Sequence, residues 1–184
     1  MSARLQANPS APARTPSVPV RLAGEFEAWI GLGGNLGDRM ATLGEALAAL
    51  GDAVEQVSPI YETAPWGVLD QPWFLNGVAR LRWTQSPLDL LRRCLAIEHE
   101  LGRVRGARNG PRTIDLDVLL VGPRAFSGPG LSIPHPGITQ RRSVLEPWAD
   151  LCPGLMVPGL ALPLEGLRVR ARDLEGQQVR LFQA

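Results

Sequence analysis

Lysine is missing from this chain altogether, and all 19 basic residues are arginine. That excludes a phosphate loop with its lysine, a kinase that relies on a strand lysine, and chemistry through a lysine Schiff base. Cysteine is nearly absent too: Cys94 and Cys152 stand alone, without metal-ligand spacing. Cys94 falls in a helical pattern beside Leu91 and Leu95 and reads as a buried thiol. No run approaches the roughly 20 apolar residues of a membrane span. Residues 1–25 are rich in Pro, Ala and Ser and lack the apolar segment of a secretory signal. They are expected to form a disordered extension ahead of a single domain, residues 26–184, in a cytoplasmic protein. There is also little net charge: at +1 the chain carries no overall bias toward polyanions, so its basic character is local.

That local character is concentrated in Arg103–Leu120, RVRGARNGPRTIDLDVLL. Arg103, Arg105, Arg108 and Arg112 lie in a Gly-rich loop, and an apolar run follows that is broken only by Asp115 and Asp117. On a strand, residues two apart share a face. Both carboxylates therefore face the mouth of the arginine loop, while Ile114, Leu116 and Val118 pack on the other side. Taken alone, an acidic pair on a strand is usually solvated or salt-bridged, and an arginine-rich loop is usually a solvated turn. Together, joined by Gly110-Pro111, they form a site. Neighbouring carboxylates repel and call for a cation, and Mg²⁺ typically uses one or two carboxylates plus substrate phosphates. Arginine forks supply the remaining phosphate contacts.

Hydrophobic periodicity places the site in a fold. Phe26–Gly33 reads as a strand and Leu43, Ala46, Leu47 and Leu50 as the apolar face of a helix stopped by Gly51. Ala53–Tyr61 reads as one extended segment, Glu62–Pro72 as a loop and Trp73–Trp83 as a strand. Ser86-Pro87 opens a second helix with apolar positions at Leu88, Leu91, Leu95, Ile97 and Leu101, ended by Gly102. The aspartate strand follows. The order β-α-β-β-α-β predicts an α+β, ferredoxin-like core with C-terminal additions. Those additions comprise a Gly/Pro-rich loop after residue 122, a short helix near Ser143–Ala149, and strands suggested by the alternations Leu167/Val169 and Val179/Leu181.

Three further groups stand out. The run Gly31-Leu32-Gly33-Gly34-Asn35-Leu36-Gly37 is spaced G-x-G-x-x-x-G, not the G-x-G-x-x-G of a dinucleotide site, and reads as a tight strand-to-helix turn near a ligand. Thr63-Ala64-Pro65-Trp66-Gly67 with Phe74 and Asn76 combines flat apolar groups with an amide, which suits a planar heterocycle. A buried amide satisfied by backbone is an equal reading of Asn76. His135, fixed between prolines, gains weight from the nearby Arg141.

In this order, GLGGNLGD (31–38), YETAPWG with DQPWFLN (61–76), GRVRGARNGPRTIDLDVLL (102–120) and SIPHPGITQR (132–141) resemble the 6-hydroxymethyl-7,8-dihydropterin pyrophosphokinases. The resemblance implies transfer of diphosphate from ATP to the pterin hydroxymethyl oxygen, with AMP leaving, in folate biosynthesis. It implies that Asp115 and Asp117 hold two Mg²⁺ ions and that Asp117 assists deprotonation. Arg103 and Arg112 would clamp the phosphates as catalytic groups, and Arg105 and Arg108 would help close the loop. Glu98, Val118, Ser132, His135 and Arg141 would complete the ATP site. Gly33, Thr63, Ala64, Pro65, Trp66, Phe74 and Asn76 would form the pterin pocket, bordered by Asn35, with Phe74 stacking and Asn76 reading the ring edge. Three positions depart from the family: Asn109 where many members carry Trp, Ser143 where a second stacking aromatic stands, and Gly137 where a basic residue is common. ATP and the pterin are the expected partners, with no nucleic acid, no membrane and partner proteins left open. An RNA-binding module and a catalytically silent regulator are the competing readings. The acid pair opposes both, since without metal it repels phosphate and a silent protein has no use for it.

Overall fold

The computed structural model describes residues 24–183 except 105 and 108, so the expected extension and two of the loop arginines lie outside the described residues. Strand β1 (Phe26–Gly34) leads into helix α1 (Arg39–Leu50). Asp38 caps α1 by accepting from Ala41 N at 3.1 Å, and Gly51 ends it at φ 64°. The extended segment expected over Ala53–Tyr61 is two strands, β2 (Val54–Val57) and β3 (Tyr61–Thr63). They break at Ser58-Pro59, where Ser58 turns inward and bonds Val78 through both its backbone N–H and its hydroxyl. Pro59 has no N–H to continue the ladder.

Strand β4 (Phe74–Trp83) is followed by helix α2 (Pro87–Glu100), which opens on a capping box between Ser86 and Asp89. Its buried stripe is Leu90, Cys94 and Ile97. Leu95, expected in that stripe, is 38% exposed, because it sits one position off the i, i+4, i+7 row. Strand β5 (Asp115–Val121) carries the acid pair. The loop after residue 122 contains a hairpin, β6 (Phe126–Gly128) and β7 (Leu131–Ile133). A 3₁₀ turn (Ile138–Gln140) leads into α3 (Arg142–Leu151). The strand expected around Leu167 and Val169 is instead helix α4 (Leu164–Ala171). It buries Leu164, Leu167 and Ala171 at helical spacing and leaves Val169 exposed. The second expected tail strand is present as β8 (Val179–Leu181).

The main sheet runs β5-β1-β4-β3-β8, with β2 also pairing β4, and every described pairing is antiparallel. This is a mixed α/β fold with four α-helices among the described residues. From Ala28 onward β1 is buried at every position, which makes it a central strand of the sheet. Trp29 meets Trp148 of α3 at 5.7 Å between ring centroids. A Cβ on Gly34 would lie 2.3 Å from the Thr113 carbonyl, backbone against backbone. Gly34→Ala is therefore expected to cost about 1–3 kcal/mol, read by urea unfolding, because one of the two chains must move.

Candidate active site

The sheet register assembles the site. Asp115 pairs with Gly33, and Gly33 with Asn76; one step along, Asp117 pairs with Gly31. Directly opposed residues point to the same face. The two glycines thus form a floor without side chains, with the carboxylates of β5 on one side and Asn76 of β4 on the other. A Cβ on Gly33 would lie 2.9 Å from Asn76 Oδ1, so a larger residue there displaces the Asn76 amide. Asn76 Nδ2 donates to the Thr63 hydroxyl at 2.7 Å, so its partner is a side chain and not the backbone, and the half-buried amide lines a pocket.

One pocket brings together Gly33, Thr63, Ala64, Trp66, Phe74, Asn76, Arg112, Asp115, Asp117 and Arg141, along with Asn109 and Ser143. Pro65, Glu98, Arg103, Val118, Ser132 and His135 are not part of its lining. Val118 is 3% exposed and belongs to the core. Gln177, Gln178 and Val179 also line the pocket. The alternation in that tail suggests a strand and nothing of a part in the site. Arg112 holds its guanidinium 4.9 Å above the Phe74 ring, on a face that the resemblance assigns to pterin stacking.

The acid pair is ion-paired. Asp115 takes Arg103 at 2.6 Å and Arg112 Nε at 3.0 Å, and Asp117 takes Arg141 at 2.9 Å. The Arg112 Nε is close to Asp115 but not aligned for a hydrogen bond, leaving a buried donor without a partner. Behind the pair lies Glu98, 5% exposed, whose Oε1 accepts from Leu116 N at 2.7 Å and from Arg103. Burial pushes the Glu98 carboxyl above its usual value, outweighing the Leu116 N–H and Arg103. Burial alone would lower Arg103, but Asp115 and Glu98 hold it above its ordinary value. Burial is also the main reason that His135 is pushed down, with the Asp117 carboxylate opposing. His135 Nδ1 accepts from Gly137 N at 3.1 Å, which assigns the proton of the neutral ring to Nε2.

Three guanidiniums meet three carboxylates here, Arg103, Arg112 and Arg141 against Glu98, Asp115 and Asp117. Among the described residues these six formal charges balance, which leaves the cluster no net positive charge for a polyphosphate. Among the described residues no group of three or more His, Cys, Asp or Glu side chains gathers as a metal cage. Two partly exposed carboxylates with hard oxygen donors fit Mg²⁺, which completes its octahedron from phosphate and water.

Asn35, expected at the pocket border, is 3% exposed and joins the two loops instead. Its Nδ2 donates to Gln71 Oε1 at 3.0 Å and Pro72 O at 2.9 Å, and its Oδ1 accepts from Arg112 N at 2.8 Å. Gln71 Nε2 continues to Asn109 O at 2.9 Å. Asn35→Ala orphans the Arg112 N–H and both loop acceptors. It is expected to cost about 2–3 kcal/mol in chemical denaturation, since each unsatisfied buried group is expensive.

Comparison with known proteins gives consistent matches. The family model for 7,8-dihydro-6-hydroxymethylpterin-pyrophosphokinase (HPPK) matches residues 29–153. The 2-amino-4-hydroxy-6-hydroxymethyldihydropteridine pyrophosphokinase of Pseudomonas aeruginosa is 43% identical over 151 residues, covering 76% of this chain and 93% of its own. The protein of the same name from Bacillus subtilis is 43% identical over 129 residues, covering 68% and 77%. The folic acid synthesis protein fol1 of Schizosaccharomyces pombe is 40% identical over 160 residues, 84% of this chain but 21% of that protein. A solved HPPK-DHPS chain of Plasmodium falciparum superposes with a TM-score of 0.67 at 15% identity, over 82% of this chain and 46% of that one. At that identity the likeness is one of fold.

Proposed function

This chain belongs to the 7,8-dihydro-6-hydroxymethylpterin-pyrophosphokinase family, a family of diphosphotransferases, and we propose that it transfers diphosphate from ATP to 6-hydroxymethyl-7,8-dihydropterin in folate biosynthesis. The pterin hydroxymethyl oxygen forms a bond to the β-phosphorus of ATP. The bond from that phosphorus to the oxygen bridging the α-phosphate breaks, and AMP leaves with that oxygen. The observation that carries the reading is the single pocket in which Asp115 and Asp117 face Thr63, Phe74 and Asn76 across a glycine floor.

Asp115 and Asp117 are assigned to hold two Mg²⁺ ions. When bound, these would neutralise charge on the transferring phosphates. The remaining work falls to the chain. Arg103, Arg112 and Arg141 exchange carboxylate partners for phosphate oxygens, Arg105 and Arg108 close the loop over them, and Asp117 accepts the hydroxyl proton. Such transfer depends on positioning and charge neutralisation more than on a strong nucleophile. Glu98 holds Arg103 from behind, while Val118 (through its backbone), Ser132 and His135 border the adenosine side. Gly33, Thr63, Ala64, Pro65 and Trp66 shape the acceptor pocket, Asn76 reads the pterin edge, and Phe74 stacks once Arg112 turns to phosphate.

We also read the sheet as ferredoxin-like, with β2 and β3 counted as one strand broken at Ser58-Pro59; β6–β8, α3 and α4 are then the additions. No helix of the described residues is long and apolar enough to cross a membrane, and we place the enzyme in the cytoplasm, acting on small molecules. The deciding measurement is AMP formation from ATP and Mg²⁺ with and without 6-hydroxymethyl-7,8-dihydropterin. Pterin-dependent AMP supports diphosphate transfer. ADP in its place would mean single phosphoryl transfer and overturn it.

A further inference from the structure

Strand β8 has no part in the reading above and lies beyond residues 29–153, the stretch matched by the family model. It nonetheless borders the pocket through Val179, and the two residues leading into it, Gln177 and Gln178, do so as well. On one side the tail is stitched to the acceptor wall: Thr63 pairs with Val179, and Ala64 N donates to Gln178 O at 2.9 Å. On the other side Gln177 grips the turn that carries Arg141. Its Nε2 donates to Gln140 O at 2.8 Å, its Oε1 accepts from Arg142 N at 2.9 Å, and its carbonyl accepts from Arg142 Nη1 at 3.0 Å.

These contacts fall on the residues immediately before and after Arg141, whose guanidinium reaches Asp117 at 2.9 Å. Arg141 is the hinge between the 3₁₀ turn and α3, extended at φ −127°, and its own side chain does not cap the helix. The Gln177 carboxamide supplies the missing acceptor for the first helical N–H. Glu146 holds the Arg142 guanidinium from the helix side at 2.7 Å. The Arg141 side chain is one-third exposed and pairs with Asp117.

We propose that Gln177 is a positioning residue for diphosphate transfer. By clamping Gln140 and Arg142 it fixes the hinge and aims Arg141 at the space between Asp117 and the bound polyphosphate. What Arg141 binds rests on the pyrophosphokinase reading. Through β8 the clamp also joins the acceptor wall to this arginine, so the tail is a working part of the site.

The test uses the full chain with Gln177→Ala and Gln177→Glu. Two quantities are read: calorimetric affinity for a non-hydrolysable ATP analogue with Mg²⁺, and steady-state pterin-dependent AMP release. Gln177→Ala is expected to weaken analogue binding and lower kcat by roughly tenfold each, the usual scale for a residue that orients a site group. Its melting temperature should fall by no more than about 5 °C. Gln177→Glu keeps an acceptor for Arg142 N but loses the donor to Gln140 O and sets a carboxylate oxygen against that carbonyl, so it should recover only part of either loss. Unchanged analogue affinity in Gln177→Ala overturns the clamp. A parent protein that binds the analogue but releases no AMP with pterin overturns the functional reading instead, and the calorimetry still decides the clamp.

Discussion

Asp117→Ala lowers pterin-dependent AMP release on the order of a thousandfold or more while leaving the melting temperature within about 3 °C of the parent. The two halves of that expectation have separate physical sources. In the fold, Asp117 is a strand residue whose side chain is 31% exposed and whose one ion pair is to Arg141. Partly exposed pairs contribute about 0–1 kcal/mol, so removing this one costs the fold little. The core beneath it is built by its neighbours, Leu116 at 4% exposure and Val118 at 3%. In the proposed reaction, loss of one carboxylate would leave Asp115 alone to hold Mg²⁺, and Asp115 is already shared between Arg103 and Arg112. Arg141 also loses its anchor. Asp117→Asn separates charge from shape, since it keeps an oxygen toward Arg141 but loses the negative charge. Activity retained in either variant would remove the metal assignment. A large fall in melting temperature would mean that Asp117 serves the fold.

The grouping of the acid pair with the arginines was legible because it is written locally. Asp115 and Asp117 are two residues apart on a strand, and the arginines precede them within one loop, so alternation alone predicts a shared face. Both long helices were legible from helical spacing, Leu43, Ala46 and Leu50 in the first and the Leu88–Leu101 pattern in the second, but the buried stripe of the second is Leu90, Cys94 and Ile97, of which the pattern picks out only Ile97 among its apolar positions. What escaped notice depends on contacts distant in sequence. Gln177 bonds Arg142 across 35 residues and Asn35 bonds Pro72 across 37, and neither partner carries a local sign of the other. The β6–β7 hairpin has strands of three residues, too short to show alternation. In α4, Leu167 and Val169 mimic a strand. Leu164, Leu167 and Ala171 carry the true period, and tertiary burial of that stripe decides the matter. Ser58 looked like part of a strand because its inward hydroxyl is useful only once β4 is alongside.

Glu98→Ala is the second large effect, and here stability and activity fall together. Glu98 is buried at 5% exposure and satisfies the Leu116 N–H at 2.7 Å, directly beneath the acid pair, while holding Arg103. Alanine leaves a buried donor unpaired, and it unbalances a cluster in which three guanidiniums match three carboxylates. Breaking a buried pair by removing one partner costs about 3–5 kcal/mol, far more than the intact pair contributes. Glu98→Gln keeps an oxygen for Leu116 N and is expected to cost about 1–2 kcal/mol. The pH dependence distinguishes the charge from the hydrogen bond. Burial raises the Glu98 carboxyl above its usual 4.5, so between 4.5 and that raised value the folded state holds a proton that the unfolded chain has released. Stability from this group is therefore full below pH 4.5 and declines as pH rises through the window. Glutamine does not titrate, so the parent's advantage over Glu98→Gln should be larger at pH 4 than at pH 7, as read by urea unfolding at each pH. An advantage that grows with pH instead would mean that Arg103 and the Leu116 N–H outweigh burial. Glu98 would then be a carboxylate kept charged for the arginine in front of it.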